Sequence, residues 1–488
     1  MRGLARTAAW LLTTMAAGLC LAALVLPAPA AAGAPSATCA APPDAAACGW
    51  ATGGASSFGW LPGTAPVPAL QSVGDGVSEV RFPSRFDLRQ RGRVSPVRNQ
   101  GKLGTCWAFA ALASLESTFD KRVDLSEDNM VLRSGFDGAP YSTGGNWDMA
   151  AAYLLGGRGP VAESADPYGD GTSPRRADVA SDVRTVLWLP ERRGSADNAA
   201  IKEALTRYGV VAVTMRWVPG AYRASTASYC SQGYGFPNHA VDIVGWDDDY
   251  PRAAFSPAAP GDGAFIVRNS WGKGWGRGGY FSVSYYDSSI AHSGAVFVAG
   301  RPPAKDARTY QYDPLGQTLQ VGLFTPTAWF ANVFRAVSDG TVGSAGFYCP
   351  VPDSGFAVYA GPSLQELTKV AEGSERWAGY HEERFQTPLA VARGSRFVVA
   401  VRLTTPGFDY PVAIEARLRD RSSQARSERG QSFWSGDGVH WGDITEHFPD
   451  ANVCLKAYSV DTRAPDPSPT PTPASAASAA PATASPDN

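Results

Sequence analysis

Histidine is scarce in this 488-residue chain, with five copies at 239, 292, 381, 440 and 447. Any chemistry that needs an imidazole therefore has few candidates. Charge of one sign is also missing. Lys and Arg number 43 against 45 Asp and Glu, a balance that gives no electrostatic case for nucleic acid or an anionic membrane surface. After the first 30 or so residues no second long apolar run occurs, so no span is expected in the body of the chain. No internal repeat stands out, which speaks against a solenoid or propeller. What the chain does have is length for two or three domains and 52 Gly with 38 Pro, which favour many turns.

The N-terminus does not read as fold. Arg2 and Arg6 precede an uncharged run from Thr7 to Pro27, and Ala30-Ala31-Ala32 offers a small-residue cleavage site. Residues 1–32 are expected to be a secretory signal peptide, with an uncleaved anchor as the alternative. Leu19 before Cys20 is not the small residue that lipid attachment wants. Residues 33–81, rich in Ala, Gly, Pro and Ser, read as a pro-segment or linker. Within them Phe58–Leu70 is apolar and kept extended by its prolines. Residues 82–300 form a denser segment that opens with the helix candidate Cys106–Lys121. It continues into strand-like runs at Val210–Met215, Ala240–Val244, Phe265–Arg268 and Tyr280–Ser284. That is an α+β pattern. From 305 to 460 short strands recur, including Phe356–Tyr359, Arg396–Leu403 and Val453–Val460, which suggests an all-β sandwich. Residues 461–488, all Pro, Ala, Ser and Thr in character, cannot bury a core and are expected to be a disordered tail.

Three stretches carry chemistry. Gln100-Gly-Lys-Leu-Gly-Thr-Cys106-Trp puts a thiol at a helix start, where free N–H groups and partial positive charge favour thiolate. The Cys106 N–H also points where a developing oxyanion would sit. A buried structural cysteine is the bland alternative. A thiolate nucleophile needs a proton partner. His239, at the mouth of the alternating run His-Ala-Val-Asp-Ile-Val, is the histidine with strand context. Asn269-Ser-Trp271-Gly follows another strand, and an Asn amide oxygen can hold a His ring N–H in one tautomer. Trp271 could shield that bond from water. If Cys106 stays free, proximity suggests pairing Cys39 with Cys48, shared domain suggests Cys349 with Cys454, and Cys230 is left over.

Together these stretches resemble the papain family of cysteine proteases: a Gln six residues before the Cys, then a His-Ala strand, then Asn-Ser-Trp-Gly, in that order. Leu125-Ser126-Glu127 and Gly144-Gly145 match two further motifs of the family. The resemblance covers residues 82–300 and implies a two-lobed fold, helical on one side and β-rich on the other. It implies Cys106 as nucleophile and His239 as general acid/base, ion-paired with the thiolate. Asn269 would orient His239, and Gln100 would donate to the oxyanion. Gly144 and Gly145 would pair with the substrate backbone. Ala240, with Thr214 or Met215 nearby, would line a side-chain pocket, and Trp271 would border the substrate. Two departures stand out. Leu103 replaces the usual nearby Cys, and Ser142-Thr143 replace its partner, so one bridge is missing whole. The pro-segment lacks the family's long charged helix; Phe58–Leu70 could instead lie along the cleft and block it.

Residues 305–460 more loosely resemble the lectin-like domain found behind some bacterial surface proteases of this family. Ser435-Gly-Asp437-Gly438 reads as an Asp-box turn there, and Trp434 either stacks on sugar or packs in the core. The expected protein is thus an exported endopeptidase acting on protein or peptide substrates, secreted and possibly wall-associated. No cofactor and no metal are expected; Asp247-Asp248-Asp249 reads as a solvated hairpin loop rather than a calcium site. Cell-wall glycans are a candidate partner for the β domain, and neither nucleic acid nor, after signal cleavage, membrane is expected. Two other classes stay open: a binding protein with an inactive protease domain, and amide hydrolysis on wall cross-peptides.

Overall fold

A computed structural model of the chain describes residues 59–61, 81–300, 302 and 306–460. The signal peptide, Cys39, Cys48 and the tail lie outside the described residues. Four helices occur among the described residues: α1 (Cys106–Glu116), α2 (Glu127–Arg133), α3 (Trp147–Leu155) and α4 (Ala199–Arg207). The first is apolar all round, and every residue from Cys106 to Leu115 is buried, as expected of a helix enclosed on all sides. It ends at Glu116, five residues short of the sequence expectation. Ser117 closes it: its Oγ donates to Ser114 O, and Arg93 Nε and Nη2 donate to its carbonyl at 2.8 and 2.7 Å, satisfying a helix-end acceptor. Helices α2 and α3 start where their sequences say they should. Ser126 Oγ accepts from Asn129 N and Asn146 Oδ1 accepts from Met149 N, both side-chain N-caps.

The β-rich half is an antiparallel sheet in the order Thr185–Leu189, Gly294–Val298, Val211–Met215, His239–Asp247, Ala264–Arg268, Tyr280–Ser284. The runs read from sequence fall on these strands, and the His239 strand begins one residue earlier than expected, at His239 itself. That residue pairs with Met215, and Ala240 with Thr214. The Asp247–Asp249 run sits in the turn beyond, where Asp248 is held by Lys202 Nζ at 2.7 Å and by the Tyr285 hydroxyl.

The second half is a sandwich. A sheet of six strands, including Thr327–Arg335, Ser354–Ser363 and Arg396–Thr404, faces the strands Gly340–Cys349, Ala378–Val391 and Leu455–Val460. Along Arg396–Thr404, Phe397, Val399, Val401 and Leu403 enter the shared core while Val398 and Ala400 are buried in a smaller apolar cluster on the opposite face, the period of two of a strand covered on both sides. The sheet does not stop at the domain boundary. Ala378, Gly379 and Tyr380 pair with Trp188, Leu187 and Val186, so thirteen strands from both halves form one hydrogen-bonded sheet. Gly379 makes the join possible: its φ is 140°, and a Cβ there would lie 2.0 Å from Val186 O.

The expected Cys349–Cys454 disulfide is absent; both thiols are free and buried. The register explains this. Phe347 lies opposite Leu455, so Cys349 and Cys454 are offset by two and one residues and face opposite sides of the sheet. Cys349 packs in the sandwich core and Cys454 in the cluster that contains α1. Cys230 is also free. Trp434 packs in the core, edge-on to His447 and Phe448, and is not an exposed platform. Ser435–Trp441 does form the expected turn: Asp437 Oδ1 accepts from the backbone N–H of Val439 and His440, both at 2.8 Å. No helix among the described residues is long and apolar enough to cross a membrane.

Candidate active site

Two strand ends and one helix start meet at Cys106. The thiol is the first residue of α1 and is fully buried. The N–H of Ala240 donates to its Sγ at 3.3 Å, which places the start of the His239 strand directly against the nucleophile candidate. His239 is fully buried, and its Nε2 lies 2.9 Å from Asn269 Oδ1. An amide oxygen can only accept, so Nε2 carries the hydrogen and Nδ1 is the nitrogen left for proton exchange. Trp271 stacks on the imidazole, with centroids 4.9 Å apart and planes 18° from parallel. Trp217 and Trp275 meet Trp271 edge-on at 4.8 and 5.0 Å. This indole wall keeps water from the His239–Asn269 bond.

Gln100 is tied to the same corner. Its backbone N–H donates to Ser270 O at 2.8 Å, its Oε1 accepts from Ser270 Oγ at 2.6 Å, and its Nε2 donates to Leu103 O at 2.7 Å. The Leu103 carbonyl, which can only accept, thereby fixes which end of the amide is the donor. Gly144 and Gly145 lie across the cleft, before α3. Gly144 has φ of 86°, and a Cβ on Gly145 would sit 2.4 Å from the Trp107 ring, so only glycine lets that backbone lie flat on the indole. Ala240, Thr214 and Met215 are all buried; Ala240 shares the cluster of Cys106, while Met215 belongs to the core behind the sheet.

The cleft has an occupant from the chain itself. Gly59-Trp60-Leu61 runs parallel to Gly145: Gly145 N donates to Gly59 O at 2.9 Å and Leu61 N to Gly145 O at 2.8 Å. Trp60 is 8% exposed, joins the apolar cluster of Cys106, and packs on Trp147 with centroids 4.6 Å apart.

Residues 82–296 match the papain family cysteine proteases, and residues 309–459 match the lectin like domain. Cysteine proteinase 1 of Entamoeba histolytica is 30% identical over 228 residues, which are 44% of this chain and 69% of that protein.

The chain belongs to the papain family of cysteine proteases.

Rat (Rattus norvegicus) procathepsin L is 32% identical over 238 residues, 46% of this chain and 66% of that protein. Among solved structures, the cysteine protease and lectin-like domains of Cwp84, a surface layer associated protein of Clostridium difficile, superpose with a TM-score of 0.68 at 23% identity. They cover 78% of this chain and 89% of that one. That likeness shows the fold. The papain-like half is a cysteine peptidase domain, and the enzyme is a cysteine peptidase.

In the covered cleft, burial opposes the expected thiolate–imidazolium pair. Burial pushes the Cys106 thiol up to about 12, against the opposing pull of the Ala240, Trp107 and Cys106 N–H groups. Burial also pulls the His239 imidazole down to about 4, against the bond to Asn269. In this covered state burial favours the neutral form of both groups and opposes the helix N-terminus. The other four histidines are held elsewhere: His292 by Glu191 and Ser288 O, His381 by Glu375 and Trp377 O, His440 by Asp437, and His447 against Trp434.

Sequence reading missed four neighbours of the site. Ser270 and Trp217 orient Gln100 and Trp271, Trp147 receives Trp60, and the Tyr168 hydroxyl lies 2.6 Å from Thr105 Oγ1 beside Cys106. Ser270 and Trp147 adjoin motif residues and could have been found there. Tyr168 and Trp217 carry no local signal, because only the fold brings them in.

Proposed function

We propose that this papain-like peptidase is an exported endopeptidase working through Cys106, His239 and Asn269. The observation that carries the reading is the geometry at one strand mouth: His239 held by Asn269 at 2.9 Å, and its neighbour Ala240 donating to Cys106 Sγ at 3.3 Å. In the open cleft the Cys106 proton passes to His239 Nδ1 as sulfur attacks the peptide carbonyl. The oxyanion takes hydrogen bonds from the Cys106 N–H and the second Gln100 Nε2 hydrogen. His239 returns the proton to the leaving amine, and water, deprotonated by His239, releases the acyl group. No cofactor enters. The seat of Gly59–Leu61 on Gly145 favours a polypeptide substrate over a wall amide, since the glycine offers backbone groups to a backbone.

The same seat supports a latency role for the pro-segment 33–81. Residues 1–32 act as signal peptide, 82–300 as peptidase, 305–460 as β domain and 461–488 as tail. The matched lectin like domain supports glycan binding at a cell surface, and the surface-layer association of the Clostridium protein supports the same location here. The test is peptide-library cleavage and labelling by a thiol-reactive epoxide, each with Cys106→Ala as control. Cleavage and labelling that vanish in the variant are expected; a processed, folded wild type that is silent and unlabelled sinks the proposal.

A further inference from the structure

The helical half holds three carboxylates that the mechanism does not use. Asp128 is the second residue of α2; Asp166 and Asp170 belong to the turn Asp166-Pro-Tyr-Gly-Asp170-Gly-Thr-Ser173. One oxygen from each lies within 4.8 Å of the other two. Asp128 and Asp166 are buried, at 0% and 2% exposure, while Asp170 is open to solvent. Asp128 Oδ2 accepts from the Tyr141 hydroxyl at 2.8 Å and the Gly169 backbone N–H also favours the carboxylate, but Oδ1 is buried and makes no well-formed hydrogen bond among the described residues. Asp166 Oδ2 accepts from Asn129 Nδ2 at 2.8 Å and Ser173 Oγ at 2.5 Å. Asp170 Oδ1 accepts from Thr172 N and Oγ1. No Lys, Arg or His among the described residues forms an ion pair with any of the three. Two buried carboxylates side by side need a compensating positive charge or a proton.

We propose that Asp128, Asp166 and Asp170 bind a calcium ion. Three oxygen ligands suit a hard cation. Calcium bonds oxygen at about 2.3–2.6 Å, so donors across the ion lie up to about 5 Å apart; magnesium, at about 2.0–2.1 Å, wants a tighter set. The open side at Asp170 gives an entry path and room for water to complete the shell. With only three side-chain ligands the affinity belongs with weak extracellular sites, Kd of about 10⁻⁴–10⁻³ M.

The site has a consequence for the cleft. The turn carries Tyr168, whose hydroxyl donates to Gln100 O at 3.1 Å and receives Thr105 Oγ1 at 2.6 Å, and whose ring meets Phe109 edge-on. Calcium at the base of the turn fixes Tyr168 and so braces the segment from Gln100 to Cys106. This bracing rests on the reading of Cys106 and Gln100 above; the binding itself does not.

The test is thermal unfolding of the full chain carrying Cys106→Ala, which prevents self-cleavage, in EDTA, calcium chloride or magnesium chloride. At calcium about tenfold above Kd the midpoint is expected to rise by about 3 °C, with a smaller rise in magnesium. Adding Asp170→Asn, an exposed change, should keep the EDTA midpoint and lose the calcium shift. Terbium luminescence sensitised by Tyr141 and Tyr168 should be displaced by calcium and absent in Asp170→Asn. No calcium shift, an equal shift in magnesium, or a shift that survives Asp170→Asn would each overturn the site. None of these readouts depends on peptide hydrolysis, so failure here and failure of the peptidase reading remain distinguishable.

Discussion

Cys106 and Cys454 share one apolar cluster, and each is at most 1% exposed. Burial raises both thiols above the ordinary range. Their surroundings differ. Cys106 starts a helix, receives the Ala240 N–H, and has His239 as that residue's neighbour. Cys454 follows a strand among Asp313, Lys456 and Glu415, with no histidine among the charged groups that act on it in the described residues and a negative charge beside it. The roof differs too. Trp60, which packs in the cluster of Cys106, belongs to the segment proposed above as a removable pro-segment, whereas Cys454 is walled by strands of the sheet. A buried cysteine is therefore made reactive by what happens when one wall leaves.

The comparison can be broken most forcefully by removing each sulfur. Cys106→Ala should lower kcat/KM by at least about 10⁴-fold. Cys454→Ala should leave the rate of folded enzyme unchanged and cost stability of about 1 kcal/mol, read by denaturant unfolding. Equal losses of activity would erase the distinction. Next in size is Asn269→Ala, which frees the imidazole to turn; kcat should fall by about 10²-fold, with KM little changed, since the amide orients rather than reacts. Trp60→Ala removes the anchor of the roof, and alkylation of Cys106 in the unprocessed chain should speed up by about tenfold, a loss of roughly 1.4 kcal/mol of cover. Cys454 should stay unlabelled until the protein unfolds; mass mapping of the label distinguishes the two.

The smallest expected effect is on pH. His239 is held at about 4 in the covered state, below its ordinary 6.5, so an opened cleft binds the proton between these values. The cover therefore weakens as pH falls from about 6.5 towards 4. Cys106 is held at about 12 rather than 9, so the opened thiol loses its proton first as pH rises, and the cover weakens again above about 9. Labelling of the unprocessed chain should be slowest between these limits after correction for the intrinsic reactivity of the thiolate. A rate that falls steadily on acidification below 6.5, once corrected, would remove His239 from the account.

Much of the site was legible because each main residue opens or follows a regular element: Cys106 at a helix start, His239 at a strand start, Asn269 just after a strand. Short-range pattern reports such positions. The α+β reading followed for the same reason, since the strand runs alternate or are buried whole. What was not legible depends on partners far away in sequence. The Cys349–Cys454 pairing failed on a one-residue register offset that composition cannot reveal. Only Gly59–Leu61, a fraction of the expected Phe58–Leu70, is described in the cleft, and its seat depends on Gly145 and Trp147, more than 80 positions away. Asp128, Asp166 and Asp170 look like ordinary surface acids until the turn folds back on α2. In the conspicuous acidic run Asp247-Asp248-Asp249, Asp248 pairs with Lys202 and Asp247 with Arg85 instead.

The strand pairing at Ala378–Tyr380 bears on anyone who would treat the two halves as interchangeable parts. A chain cut near residue 300 keeps every motif of a papain-like enzyme yet strips the Thr185–Leu189 strand of its neighbour on one side, leaving an open edge of backbone donors and acceptors ready to recruit another molecule. Transplanting the front half onto a new partner would require that partner to bring its own edge, with a glycine where Gly379 now sits. The border between these domains is a seam rather than a hinge, and its stitches are counted in hydrogen bonds.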